Sequence, residues 1–159
     1  LALACNPGLL IADEPTTALD VTTQAQILQL MKDLQVEFGM GMMLITHNLG
    51  VVAQMADKII VMYLGKIVEM ADTKTLFNDP KHPYTQELLR SIPKLSRERS
   101  TERLNAISGS VPPPFARPGG CTFHPRCPQA MIGKCDVVEP TQMELEDGRI
   151  VSCLLYEEN

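Results

Sequence analysis

Leu9-Leu10-Ile11-Ala12-Asp13-Glu14-Pro15-Thr16-Thr17-Ala18-Leu19-Asp20 is the stretch that decides the fold. Its four apolar residues, closed by two acids and a proline, read as a short strand buried on both faces, as in a parallel sheet. Asp20 is placed to cap the next element. Ile27, Met31, Leu34 and Phe38 follow as one apolar helical stripe, with Gly39 just beyond its end. Met42-Met43-Leu44-Ile45 predicts a second buried strand, closed by Thr46-His47-Asn48. Strand, helix, strand in this order implies a right-handed βαβ crossover. A short helix from Leu49 to Ala56 is expected next. Lys58–Tyr63 and Lys66–Met70 flank Leu64-Gly65 as a hairpin. The fold class predicted is α/β.

Composition agrees. Hydrophobic residues make up 45% of the 159 and charged residues 21%, the balance of a packed globular protein rather than a disordered tail. Aromatics are 4% with no Trp, so the core must come from aliphatic side chains and Met. A net charge of −5 without a basic run argues against a nucleic-acid partner. No apolar run approaches the roughly 18–20 residues needed to span a bilayer. Leu1–Cys5 also lacks the basic segment that precedes a secretory signal. The charge is unevenly spread: residues 1–79 hold four basic and nine acidic side chains, whereas 80–159 hold ten of each. Ten of twelve prolines and four of five cysteines also follow residue 79. The first half therefore reads as packed α/β structure and the second as a loop-rich appendage that needs a staple.

Two carboxylates at the carboxyl end of a buried strand sit where ligands of open α/β sheets bind. An Asp there can hold Mg²⁺, usually through water, and an adjacent Glu can orient or deprotonate an attacking water. Taken alone, Asp13-Glu14 reads more readily as a pair that simply ends a strand and caps a helix. The full twelve-residue string is more specific. It resembles the second nucleotide motif (Walker B) and following D-loop of ABC-type ATPases, and His47 falls where that family carries its switch histidine. The likeness runs through residues 1–70 almost continuously.

The resemblance implies a division of labour. Asp13 would support the Mg²⁺ of bound ATP, and Glu14 would act as general base on the hydrolytic water. His47 would hydrogen-bond the γ-phosphate and help fix the water and Glu14. Ala18, Leu19 and Asp20 would face a second ATPase subunit across a dimer. Asn48 departs mildly from the family, where an acidic residue is common. No Gly-x-x-x-x-Gly-Lys-Ser/Thr phosphate loop occurs, nor the family's glutamine loop or its Ser-Gly-Gly-Gln signature. Leu1–Pro7 resembles the end of the helix after that signature. The expectation is the C-terminal part of a longer ATPase, inactive as it stands.

In the second half, the Pro-rich turn at Asn78–Pro83 leads into a helix with Leu88 and Leu89 buried and Pro93 after its end. Lys94–Arg103 reads as a solvated charged stretch. Ser108–Gly120, with Pro112-Pro113-Pro114 and Gly119-Gly120, reads as a stiff extended linker. Cys121, Cys127, Cys135 and Cys153 follow as C-x5-C-x7-C-x17-C, which suits four metal ligands or two disulfides. A cytosolic ATPase would live in reducing surroundings, which disfavours disulfides. Spacing alone leaves Zn²⁺ and an iron–sulfur cluster both open. Cys5 is expected in the core.

Asn78–Pro93, and Gly120–Pro128 continued through Cys135 to Val151–Tyr156, are similar to segments of oligopeptide/dipeptide importer ATPases. The implied layout is 1–79 as the C-terminal portion of the nucleotide-binding domain and 80–159 as the transporter C-terminal extension. That likeness favours a [4Fe–4S] cluster on the four cysteines over zinc, in a structural role. His124 is expected to be a loop residue, with a substitute-ligand role as the alternative. The family further implies two transmembrane permease subunits, an extracytoplasmic peptide-binding protein acting indirectly, and a peripheral position on the cytoplasmic face of the inner membrane. Competing readings are an ABC-type ATPase for another cargo such as nickel or in DNA maintenance, and a non-enzymatic metal-binding interaction module in the tail.

Overall fold

The two apolar runs pair in parallel in a computed structural model, which describes residues 3, 5–92, 107–113 and 115–157. β1 (Leu9–Asp13) lies in register with β2 (Gly41–Ile45), Leu9 opposite Gly41 and Asp13 opposite Ile45. Between them runs α1 (Val21–Phe38). Asp20 starts it by accepting the N–H groups of Thr22 and Thr23, and Gly39 ends it in a left-handed turn at φ +60°. Asn48 caps α2 (Leu49–Met55) in the same way.

Two expectations for this region need correction. The line buried on α1 is Leu28 and Met31, while Ile27 and Leu34 are half-buried and Phe38 is exposed. Nor are the strands covered on both sides. Leu9, Ile11, Met43 and Ile45 share one face and remain 47–59% exposed, because the described residues pack only against the other face. Cys5 is exposed as well, not a core residue.

The chain divides into two compact units, 1–57 and 58–159. The second begins with β3 (Lys58–Tyr63) and β4 (Lys66–Asp72), antiparallel, with a register shift between Val61 and Met62. Leu64 at φ +46° and Gly65 at φ +78° make the turn, the pattern of a type I′ hairpin. α3 (Thr73–Asn78) and α4 (Pro83–Arg90) follow, then a 3₁₀ turn at His124–Arg126. β5 (Met143–Glu144) and β6 (Ile150–Val151) complete a sheet of order β3-β4-β6-β5. The tail is therefore woven into the hairpin rather than appended to it. Glu69 lies opposite Val151, and Ser152 donates its N–H to Val68 O at 2.9 Å. This explains why the structural division comes at 57, ahead of the shift in composition at 79.

The core of this unit gathers Tyr63, Val68, Phe123, Val151 and Leu154. Phe123 meets Tyr63 edge-on at 5.2 Å and Tyr84 at 5.3 Å between ring centres. On α4 the buried residues are Pro83 and Thr85, with Leu88 and Leu89 half-buried rather than buried as expected. The Pro-rich stretch is not a free spacer at its start, since Arg126 donates to the carbonyls of Ile107 and Ser108. Pro93, Pro114 and Lys94–Arg103 lie outside the described residues, as do Leu1, Ala2 and Ala4. No helix among the described residues is long and apolar enough to cross a membrane.

Candidate functional site

Parallel pairing brings the ends of β1 and β2 to one edge. The ladder runs one residue past β1, because Glu14 donates its N–H to Ile45 O at 2.8 Å. Glu14 takes the left-handed backbone conformation, φ +43°, a costly choice for a non-glycine residue. There its carboxylate meets the side chain two residues beyond Ile45: His47 Nδ1–H donates to Glu14 Oε1 at 2.7 Å. Thr17 Oγ1–H donates to the other oxygen at 2.8 Å.

Both carboxylate oxygens are thus engaged while the group faces water. The His47 hydrogen bond, then that of Thr17, holds the Glu14 carboxyl below its usual range, so it is an anion at neutral pH. Asp13 is exposed beside it at the strand end. A single exposed carboxylate suits Mg²⁺, which keeps most of its water and takes one or two protein oxygens beside phosphate. Asp20 does not join this group. Its oxygens accept from Thr22 N–H, Thr23 N–H and Thr23 Oγ1–H, which lowers its pKa and starts α1. Thr17 escaped the sequence reading, although its position three residues after Glu14 in a turn was a usable signal.

In the second unit, Cys121, Cys127, Cys135 and Cys153 line one small recess with His82 and Phe123. Four separate segments supply them. Cys121 is held to Cys135 by its N–H on the Cys135 carbonyl at 2.8 Å. That approach requires Gly120, at φ +62°, where a Cβ would come within 2.4 Å of the Cys135 carbonyl oxygen. Among the described residues no three His, Cys, Asp or Glu side chains are grouped to grip a metal ion. The thiols ring a recess rather than close on a point, and all four cysteines are free.

Burial raises the pKa of Cys121 and Cys127, and raises that of Cys153 to about 11. Backbone N–H groups of Phe123, Gln129 and Leu155 respectively oppose that rise. Met131 N–H donates to Cys135 Sγ at 3.3 Å. Each sulfur therefore has a backbone donor beside it. His124 sits in the 3₁₀ turn against the same recess and donates Nδ1–H to Cys121 O at 2.9 Å.

A further buried network was not legible in the sequence. Glu69 is 0% exposed, and its carboxylate accepts the N–H groups of Lys81 at 2.8 Å and His82 at 2.9 Å. His82, 1% exposed, caps α4 through Nδ1, which accepts Tyr84 N–H at 3.0 Å. Burial depresses its pKa to about 4, so the ring is neutral. Arg149 donates to the Asp79 carbonyl and pairs with Asp79 and Asp147, and Tyr156 donates its hydroxyl to Lys81 O at 3.0 Å. The turn at 79–82 is thereby fastened from both β4 and the C-terminal segment.

Residues 68–135 match the family described as oligopeptide/dipeptide transporter, C-terminal region. The oligopeptide transport ATP-binding protein AppD of Bacillus subtilis is 57% identical over 158 residues, covering 99% of this chain and 47% of that protein. The dipeptide transport ATP-binding protein DppD of Escherichia coli is 51% identical over 153 residues, 96% of this chain and 46% of that protein. A putative peptide import ATP-binding protein of Brucella ovis is 51% identical over 162 residues, 99% of this chain and 48% of its own. The chain spans about half the length of these curated relatives. Nearly the whole of this chain is thus similar to about half of each of these peptide-transport ATP-binding proteins, and residues 68–135 match the transporter C-terminal region.

Proposed function

We propose that this chain is the C-terminal portion of an ATP-hydrolysing subunit that powers peptide import through a membrane permease. In this reading, residues 1–79 belong to the ABC-type nucleotide-binding domain, carrying the Walker B motif, and 80–159 form the transporter extension. The observation that carries it is the contact of Glu14 with His47 at the ends of two adjacent parallel strands. Phosphoryl transfer needs charge neutralisation and alignment more than covalent chemistry, and this edge offers both.

The resemblance supplies the roles, and the Glu14–His47 contact supports them. Glu14, anionic and fixed by two donors, would accept a hydrogen bond from the attacking water and take its proton as the bond to the γ-phosphorus forms and the bond from that phosphorus to the departing ADP oxygen breaks. His47 fixes the Glu14 carboxylate through Nδ1–H, and its other ring nitrogen would be free to hydrogen-bond the γ-phosphate of bound ATP. Asp13 would support the Mg²⁺ of bound ATP, which would supply neutralisation of phosphate charge. Asp20 rigidifies the loop that faces a second ATPase subunit. Two permease subunits and, indirectly, an extracytoplasmic peptide-binding protein complete the assembly, with this subunit peripheral on the cytoplasmic face of the membrane.

The resemblance, with the donor chemistry of the second unit, is the ground for proposing a [4Fe–4S] cluster on Cys121, Cys127, Cys135 and Cys153. Four soft thiols with no hard oxygen ligand among them suit iron–sulfur or zinc. Each sulfur has a backbone donor. When bound, the cluster would cross-link four segments of the tail. Anaerobically purified protein should carry about four irons per chain; zinc without iron overturns this part.

The ATPase assignment is tested in the full-length protein with its partner subunit. Glu14→Gln should retain ATP binding and lose at least about 100-fold in turnover, the low end for removal of a general base. Hydrolysis at the wild-type rate would sink the role of Glu14.

A further inference from the structure

The two donors on the Glu14 carboxylate come from different places. His47 reaches Oε1 from the neighbouring strand end at 2.7 Å, whereas Thr17 reaches Oε2 at 2.8 Å from the turn that Glu14 itself begins. That turn holds the hydroxyl still. Thr17 N–H donates to Glu14 O at 3.1 Å, and Leu19 N–H donates to Thr16 O at 3.3 Å. Pro15 has its φ locked by its ring, Thr16 is buried, and Asp20 is anchored as the cap of α1. Glu14 at φ +43° and Ala18 at φ +65° bracket the turn with left-handed residues, a backbone cost that collects where geometry serves function.

One donor cannot do what two can. The last torsion of a glutamate side chain is broad and two-fold, so a carboxylate held at Oε1 alone still swings. Packing does not stop it here, because the Glu14 side chain is 42% exposed. Among the described residues no side chain other than His47 and Thr17 donates to it. Thr17 is exposed in turn, and the Glu14 carboxylate is the one partner of its hydroxyl among the described residues. With one donor on each oxygen, each oxygen keeps a lone pair whose direction the two donors set together.

We infer that Thr17 is a positioning residue for hydrolysis, its hydroxyl fixing the plane of the Glu14 carboxylate before the attacking water arrives. This rests on the reading of Glu14 as general base. Thr17 acts through Glu14 and exchanges no proton with the water. Reacting groups held in alignment contribute to rate, and a base that swings in its site forfeits part of that contribution. The hydroxyl therefore matters to the chemical step and not to the capture of nucleotide.

The test uses the full-length protein with its partner subunit, as wild type, Thr17→Val, Thr17→Ser and Glu14→Gln. Val keeps the branched shape and loses the donor, whereas Ser keeps the donor and loses the methyl group. Thr17→Val should lower kcat at least about tenfold, the rate equivalent of one lost hydrogen bond to a charged group. Its KM for ATP should stay within about twofold of wild type, since uniform binding is untouched. Thr17→Ser should keep kcat within about threefold of wild type. A second readout needs no nucleotide: with ¹³C-labelled glutamate, the order parameter of the Glu14 side chain should fall below about 0.6 in Thr17→Val and match wild type in Thr17→Ser. An unchanged kcat or unchanged Glu14 order in Thr17→Val, or an equal loss in Thr17→Ser, overturns the role of Thr17; an inactive Glu14→Gln then leaves the base standing. Hydrolysis by Glu14→Gln at the wild-type rate overturns both.

Discussion

Replacing Glu69 by Gln changes one oxygen for an NH₂ group in a place where water cannot compensate. The Glu69 side chain is 0% exposed, and each of its oxygens accepts one backbone N–H, from Lys81 and from His82. Gln can serve only one of them. The charge-assisted bond that disappears is worth about 1.5–3 kcal/mol, and the N–H facing an NH₂ group is left buried without an acceptor, at about 1–3 kcal/mol more. Against this, a neutral amide is cheaper to bury than a carboxylate. The net expectation is a loss of about 3 kcal/mol. Urea unfolding followed by tyrosine fluorescence reads this unit selectively, because Tyr63, Tyr84 and Tyr156 are the only tyrosines and there is no Trp. With a slope of about 1–3 kcal/mol per molar urea, the midpoint should drop by about 1–3 M at unchanged slope. A loss below about 1 kcal/mol would refute the claim that this carboxylate fastens the turn at 79–82.

Two further outcomes are expected. Gly120→Ala should cost about 2 kcal/mol or more, since its Cβ would stand 2.4 Å from the Cys135 carbonyl oxygen; Gly133→Ala, equally left-handed but facing open space, should cost less. Equal urea midpoints for the two would refute the close approach of the cysteine loops. In the metal-free chain, His82 has a folded pKa of about 4 against an ordinary 6.5, so the unfolded chain binds more protons between those values. Stability should therefore fall as pH drops from 6.5 through about 4, by about 3 kcal/mol in all at about 1.4 kcal/mol per pH unit. A flat profile of urea midpoints across that window would refute it.

The parts of the fold that were legible depend on local chemistry. Asp20, Gly39, Asn48 and Gly65 mark element ends through backbone needs that the sequence states within a few residues. The pairing of β1 with β2 followed from two apolar runs of equal length around one helix. What could not be read depends on distant partners. β6 is two residues long, in a stretch without alternation, and its pairing with Glu69 and Met70 on one side and Met143 and Glu144 on the other makes it a strand. Glu69 itself looks like a polar residue on an exposed hairpin face, and its burial is set by a turn twelve residues away. At the strand edge the sequence named Glu14 and His47, but not the left-handed backbone that turns the carboxylate to the imidazole. Four cysteines were visible by count. Their convergence needed Gly120, whose demand comes from a backbone fifteen residues on.

The order β3-β4-β6-β5 sets a schedule for synthesis. The hairpin of β3 and β4 can form as soon as it leaves the ribosome, but the far edge of β4 stays unpaired until residues 150 and 151 have emerged, some eighty positions later. For that interval an open strand edge and an uncapped apolar layer of Val68 and Tyr63 are available to any passing chain. A ribosome that stalls ahead of residue 150 would release a polypeptide with that seam still open, a natural target for chaperones and proteases.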